Sequence, residues 1–184
     1  MIHWAVPYRS DKNLGRAYND EFKKALAFKP CYQDHVCLRD IDTMFLTPEA
    51  PAIVEHYAES YPDALLTCFT NRIGNKAQRL SKDSDENRDM GYHIEKAINR
   101  QKSRGDFLPV TELKAPISGM FMIVPIGMWI GIGGFKEGIG CLGVDTDFSQ
   151  RVQDANYKIL LMTSIYIWHT YRLMNGVQHK KHLI

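Results

Sequence analysis

The sequence is poor in cysteine, has no excess of either charge, and offers no apolar run long enough to cross a bilayer. Its four cysteines, Cys31, Cys37, Cys68 and Cys141, form no CxxC pair. Three of them lie within or beside apolar runs, where a reduced thiol packs as a small hydrophobe, so a reducing cytoplasm is the expected setting. Lys and Arg number 23 against 21 Asp and Glu, a formal charge of +2. That balance supplies no electrostatic footprint for a polyanion, and no nucleic-acid partner is expected. The opening MIHWAVPYRSDK lacks the charged start and apolar stretch of a signal peptide. The most apolar segment, Gly119 to Gly134, carries Pro125 and several glycines and falls short of the roughly 20 residues a spanning helix needs. It reads as buried strand and turn, which leaves only peripheral contact with a membrane. There is no internal repeat and no low-complexity tract.

What is present is a hydrophobic fraction of 45% in 184 residues, enough for one domain covering 1–184 with a two- or three-layer core. Ile2 to Val6 reads as a strand stopped by Pro7, and Asn13 caps a helix running to about Leu26. His35 to Leu38 reads as a second strand that runs into Arg39-Asp40-Ile41-Asp42. Thr47-Pro48-Glu49 opens a helix to about Tyr61, and Asp63 to Phe69 makes a third strand. Strand and helix alternate, which predicts an α/β layered domain with a mostly parallel central sheet whose ligands bind beyond the carboxyl ends of the strands. From Asn71 to about Gly105 the chain turns polar, read as a solvated loop or a lid over a bound ligand, with a helix around Met90 to Gln101. A helix from about Asp147 to Asn156 and a last strand from Tyr157 to Met162 follow. The aromatic run Ile165-Tyr166-Ile167-Trp168 then leads to His169.

Asp40 and Asp42 are two apart in an extended segment, so both carboxylates project to one side and converge on one cation. Oxygen ligands of that kind suit Mg²⁺ or Mn²⁺, and such an ion holds a diphosphate. His169 is a further ligand or a structural histidine. Asp145 and Asp147 follow a glycine-rich turn and open a helix. Capping is the natural role for Asp147, which leaves Asp145 fixed in place as a general base requires.

In order and spacing these segments resemble the family 2 glycosyltransferases, in four blocks covering most of the chain. Val6-Pro7-Tyr8-Arg9 is similar to the family's first strand and loop, and Leu14-Gly15-Arg16-Ala17-Tyr18-Asn19 to the helix after it. Asp40-Ile41-Asp42 matches the D-x-D motif. Ile117-Ser118-Gly119-Met120-Phe121-Met122, with Trp129 and Gly131-Ile132-Gly133-Gly134-Phe135-Lys136-Glu137, resembles the acceptor-side stretch ending in G-G-F-x-E. Asp145-Thr146-Asp147-Phe148 with Arg151 and Asn156-Tyr157-Lys158-Ile159 resembles the segment that supplies the base, and Ile167-Trp168-His169 the terminal segment. Two departures stand out: Val144 replaces the usual acid before the base, and only one strand fits between the first helix and Asp40.

The resemblance implies a compact GT-A fold and an inverting, metal-dependent transfer from a nucleoside diphosphate sugar to a carbohydrate or glycolipid acceptor. It implies Asp145 as catalytic base and Asp40, Asp42 and His169 around Mn²⁺ or Mg²⁺. The donor would then contact Pro7, Tyr8, Arg9, Asn19, Arg39, Asp40, Ile41 and Gly119, with the base near Tyr8. Two rivals remain at this stage: a nucleotidyltransferase, although Pro7 to Lys12 contains no phosphate-cradling glycine, and a non-catalytic carbohydrate- or partner-binding module on the same fold.

Overall fold

The computed structural model describes residues 1–28, 31, 33–103 and 108–170. Strand β1 (Ile2–Ala5) ends just before Pro7, which has no N–H for a ladder. Helix α1 (Leu14–Ala27) starts where the Asn13 side chain accepts from the Arg16 amide. Strand β2 (His35–Arg39) and the short strand β3 (Thr43–Phe45) flank the aspartate turn. Then come α2 (Ala50–Ser60), β4 (Leu65–Thr70), α3 (Met90–Lys102) and β5 (Val110–Glu112). The chain continues through β6 (Phe121–Pro125), α4 (Ile126–Gly131), α5 (Val144–Asp154) and β7 (Ile159–His169).

The expected α/β layering is present, around a mixed sheet ordered β1-β2-β6-β4-β7-β3, with β5 also on β7. β1 and β2 pair in parallel, as do β4 and β7, while β6 runs against both of its neighbours. Consequently β1, β2, β4 and β7 point one way and their carboxyl ends share one edge. The outer side of β7 carries two antiparallel partners, β5 beside Leu160 to Met162 and β3 beside Ile167 to His169. A register shift between Cys68 and Phe69 of β4, opposite Met162 and Tyr166 of β7, separates the two halves.

Alternation along the strands divides the core between the two faces. Val36, Leu38, Met122, Val124, Ile159 and Leu161 pack against Tyr18 and Phe22 of α1 and Val144, Phe148 and Val152 of α5. Cys37, Leu66, Cys68, Ile123, Leu160 and Met162 pack instead against Ile53, Val54 and Tyr57 of α2. Burial of one such side chain, Phe22 or Phe148 for instance, stabilises by about 1.5–3 kcal/mol.

Three expectations are corrected. Residues 71–89 are less solvated than expected, because several of their polar side chains turn inward, although Lys76, Lys82, Asp83, Glu86, Arg88 and Asp89 stay exposed. Gln78 is fully buried, donating to Thr67 and Ser118 and accepting from the Ser118 amide. Asn75 donates to the Pro116 carbonyl, and Arg79 pairs with nearly buried Asp85 at 2.6 Å. The last strand is longer than expected and takes in the aromatic run without a break. Ser164, which interrupts the apolar pattern, is buried and shares a hydrogen bond with Tyr57 Oη, while Thr163 Oγ1 donates to the Pro109 carbonyl. Helix α5 starts earlier than expected: Gly143, in the left-handed region at φ +82°, precedes it, so Asp147 is no cap and pairs with Arg151 at 2.9 Å.

Candidate metal centre

Two carboxyl ends, those of β2 and β7, deliver the side chains that converge at this edge. β2 runs into Asp40, whose amide donates to the Met120 carbonyl just before β6. A tight turn follows, with the Thr43 amide and hydroxyl both donating to the Asp40 carbonyl, and it leads into β3. Because β3 pairs with the end of β7, with Thr43 opposite His169, the turn bearing Asp40 and Asp42 is carried to the imidazole. The Thr170 amide closes the arrangement by donating to the Asp42 carbonyl.

His169 Nε2 lies 3.3 Å from Asp42 Oδ1 and 3.7 Å from Asp40 Oδ2. One ligand atom from each of the three residues falls within 4.8 Å of the others. The imidazole is 2% exposed, whereas both carboxylates are more than 40% open to solvent. On its inner side Nδ1 sits 3.0 Å from the Arg72 carbonyl oxygen, which can only accept. Nδ1 therefore donates to that carbonyl, and Nε2 turns towards the carboxylates, where it can either donate to Asp42 or offer its lone pair to a cation, the orientation a metal-bound histidine takes when its other nitrogen is held by a backbone carbonyl. The Asn71 side chain adds a second hold, accepting from the His169 amide at 2.7 Å and from Thr70 Oγ1 at 3.1 Å. Two carboxylates and an imidazole nitrogen pointing at one another call for positive charge between them. A divalent ion meets that need, and a set mixing carboxylate oxygen with imidazole nitrogen suits Mn²⁺ better than the strictly oxygen-seeking Mg²⁺.

The electrostatics agree with an electron-rich cluster. Burial pushes the Asp40 carboxyl up to about 6, with neighbouring Asp42 and Asp145 acting in the same direction and His169 against it. The hydrogen bond with His169 holds Asp42 below the usual carboxylate range. A carboxyl raised in the folded state binds its proton more tightly there than in the unfolded chain. Ionising Asp40 thus costs folding stability as pH rises from about 4 towards 6, and a bound cation removes that cost. The expected result is a larger Mn²⁺-induced rise in melting temperature at pH 7.5 than at pH 5, read by differential scanning fluorimetry. Equal shifts at the two pH values would separate cation binding from Asp40.

Asp145, at the start of α5, lies near this cluster. Its Oδ2 accepts from the Gly119 amide at 2.6 Å and its Oδ1 from the Thr146 amide at 2.9 Å, and each oxygen keeps a second acceptor position. Gly119 precedes Met120, which holds Asp40, so one short backbone step links the two aspartates. A Cβ at Gly119 would stand 3.0 Å from both Asp145 Cβ and the Tyr18 hydroxyl, so the close approach requires glycine. Burial raises the Tyr18 phenol, and the charges of Asp40 and Asp145 add to the effect, which puts all three around one spot.

The other residues expected around a donor are distributed differently. Pro7 and Tyr8 follow β1 at the same edge, but Tyr8 is 82% exposed. Arg9 is engaged with Asp11 and Asp20. Asn19 is 7% exposed and faces the protein: its oxygen accepts from Trp129 Nε1 and the Phe135 amide, and its nitrogen donates to the Phe135 carbonyl and to Glu137. It braces the 129–137 segment. Glu137 continues that brace to Arg16 at 2.9 Å. Arg39 lies beside Asp40 and, among the described residues, donates only at 3.4 Å, to the Thr43 carbonyl, while Ile41 points outward, 85% exposed. Sequence reasoning missed Asn71 and Arg72, which hold His169. Their one signal is their position directly after a buried strand.

Comparison with family models, with curated proteins and with solved structures finds no match in any of the three.

Proposed function

We propose that this chain is an inverting, divalent-cation-dependent glycosyltransferase on a compact GT-A fold, related to the family 2 enzymes. It would move a sugar from a nucleoside diphosphate sugar to a hydroxyl of a carbohydrate or glycolipid acceptor. The observation that carries the reading is the convergence of Asp40, Asp42 and His169 at the carboxyl edge, with Asp145 joined to them through Gly119. Ligands of α/β sheets bind beyond that edge. The four resembling segments supply the choice among cation-using reactions. All four thiols are unpaired, which suits a cytoplasmic setting, and contact with a membrane would come only through a glycolipid acceptor.

Asp40, Asp42 and His169 would hold Mn²⁺ or Mg²⁺, which when bound supplies Lewis-acid stabilisation of the charge growing on the departing diphosphate. Asp145 accepts the proton of the acceptor hydroxyl. As that oxygen bonds to the anomeric carbon, the bond from the carbon to the phosphate oxygen breaks on the opposite face, and the configuration inverts. A single displacement of this kind needs one base, and the hydrogen bonds from Gly119 and Thr146 keep Asp145 in one orientation.

A donor-hydrolysis assay tests this reading. With UDP-, GDP-, CMP- and dTDP-sugars, slow release of free sugar from at least one donor is expected with Mn²⁺ and not with EDTA. Pyrophosphate formed from a nucleoside triphosphate and a sugar phosphate would indicate a nucleotidyltransferase instead. A chain that binds a glycan yet turns over no donor would be a binding module.

A further inference from the structure

A cavity of about 320 Å³ opens immediately beside the aspartate turn, lined by Trp4, Ala5, Val6, Arg39 and Phe45. β1 is an edge strand, so among the described residues no further strand covers its outer side. In the β1–β2 register Trp4 stands opposite Cys37, and Arg39 comes two residues after Cys37, so both side chains project to the face that α2 covers farther along the sheet. Trp4 is 40% exposed, although an indole of that size ordinarily finds cover. It is braced from one side: Phe45 meets it edge-on at 5.8 Å and is itself edge-on to buried Phe121 at 5.8 Å. The Arg39 guanidinium has its single 3.4 Å bond to a carbonyl and no carboxylate partner among the described residues.

The two sides of the edge thus differ in chemistry. Asp40, one residue from Arg39, faces Tyr18 and Asp145, whereas Arg39 faces Trp4. We infer that the Trp4–Arg39–Phe45 groove binds the nucleoside end of the donor, the planar base stacking on the Trp4 indole and Arg39 meeting the adjoining phosphate. This rests on the transferase reading above. A braced indole offers a rigid flat face to any nucleobase, and an unpaired guanidinium offers a planar fork to a phosphate. A diphosphate laid across the Asp40–Asp42–His169 cluster would then carry its base on the α2 side and its sugar on the side of Asp145. The assignment also displaces Tyr8, whose ring is 82% exposed and makes no aromatic contact among the described residues.

The test uses the full chain with Mn²⁺ held saturating, so that any quenching by the ion sits in the baseline, and UDP, GDP and CDP as probes. Binding of at least one nucleotide is expected to quench tryptophan fluorescence. Trp4→Phe should lose most of the quench with affinity within a few-fold of the parent. Trp129, stacked on Phe22 at 4.8 Å, and Trp168, edge-on to His93 at 4.5 Å, are not expected to respond. By isothermal titration calorimetry, Trp4→Ala should weaken the nucleotide about 5- to 150-fold while Mn²⁺ affinity holds. Arg39→Gln should weaken the nucleotide and leave the matching nucleoside unaffected. If a nucleotide binds in a Mn²⁺-dependent way but Trp4→Ala and Trp4→Phe retain both quench and affinity, the groove is the wrong subsite and the transferase reading survives. If no nucleotide binds the parent chain at all, both fall together. Should Trp4→Ala also lose Mn²⁺ affinity through misfolding, the conservative Trp4→Phe variant decides alone.

Discussion

Asp42→Ala abolishes the response to Mn²⁺: cation affinity falls by about 100-fold or more, and cation-dependent nucleotide binding and turnover go with it. The loss exceeds the 10- to 100-fold typical of removing a residue that merely supports a ligand, because Asp42 is the carboxylate closest to His169 Nε2. The fold is expected to persist. What Asp42 gives the architecture is its carbonyl, which accepts from the Thr170 amide, and alanine keeps it. Removal of one of two adjacent negative charges takes away part of what raises Asp40, while loss of the Asp42–His169 hydrogen bond acts in the opposite direction, so the variant without cation should melt close to the parent. Calorimetric titration with UDP plus Mn²⁺ is the measurement, and a curve unchanged from the parent would refute a metal role for Asp42. Asp42→Asn separates charge from shape. It keeps an oxygen that can ligate, so an intermediate affinity is expected.

That cluster was partly legible in the sequence. Asp40-Ile41-Asp42 follows an apolar run, and the two-residue period of an extended chain is enough to put both carboxylates on one side with Ile41 facing out. What brings His169 to them was not legible. The agent is β3, three residues of which Met44 is exposed, and a strand so short exists only because β7 offers it hydrogen bonds from more than 120 residues away in sequence. β5 escaped notice for the same reason. The order of the sheet was equally hidden: nothing local in Phe121 to Pro125 says that β6 inserts between β2 and β4 and runs against both. The polar stretch after β4 misled because a count of polar residues does not say where they point. Gln78, Ser84 and Asp85 are buried there, each with partners whose positions depend on the finished fold. Where local chemistry dictates the outcome, as with Asn13 capping α1 or Pro7 ending β1, sequence and structure agree.

Asp145→Asn is expected to lower turnover by about 10²- to 10⁴-fold while donor affinity stays near that of the parent. Asparagine is close in shape, and its one oxygen can still accept from the Gly119 amide, so the contact that sets the approach of α5 to the segment before β6 is retained. The second contact fares worse. The side-chain NH₂ would face the Thr146 amide, donor against donor, and the side chain must turn slightly or take water. That distortion predicts a modest loss of stability, about 1 kcal/mol, against a far larger loss of rate. The two effects are measured separately, the first by urea unfolding and the second by product formation at saturating donor, so a folding defect cannot pass for a catalytic one. Full transfer activity in Asp145→Asn would leave Asp147 as the next carboxylate to examine. Asp147, however, is tied to Arg151, which in turn donates to the Ile132 and Gly134 carbonyls, an arrangement that fixes a loop and leaves its carboxylate poorly placed to take a proton.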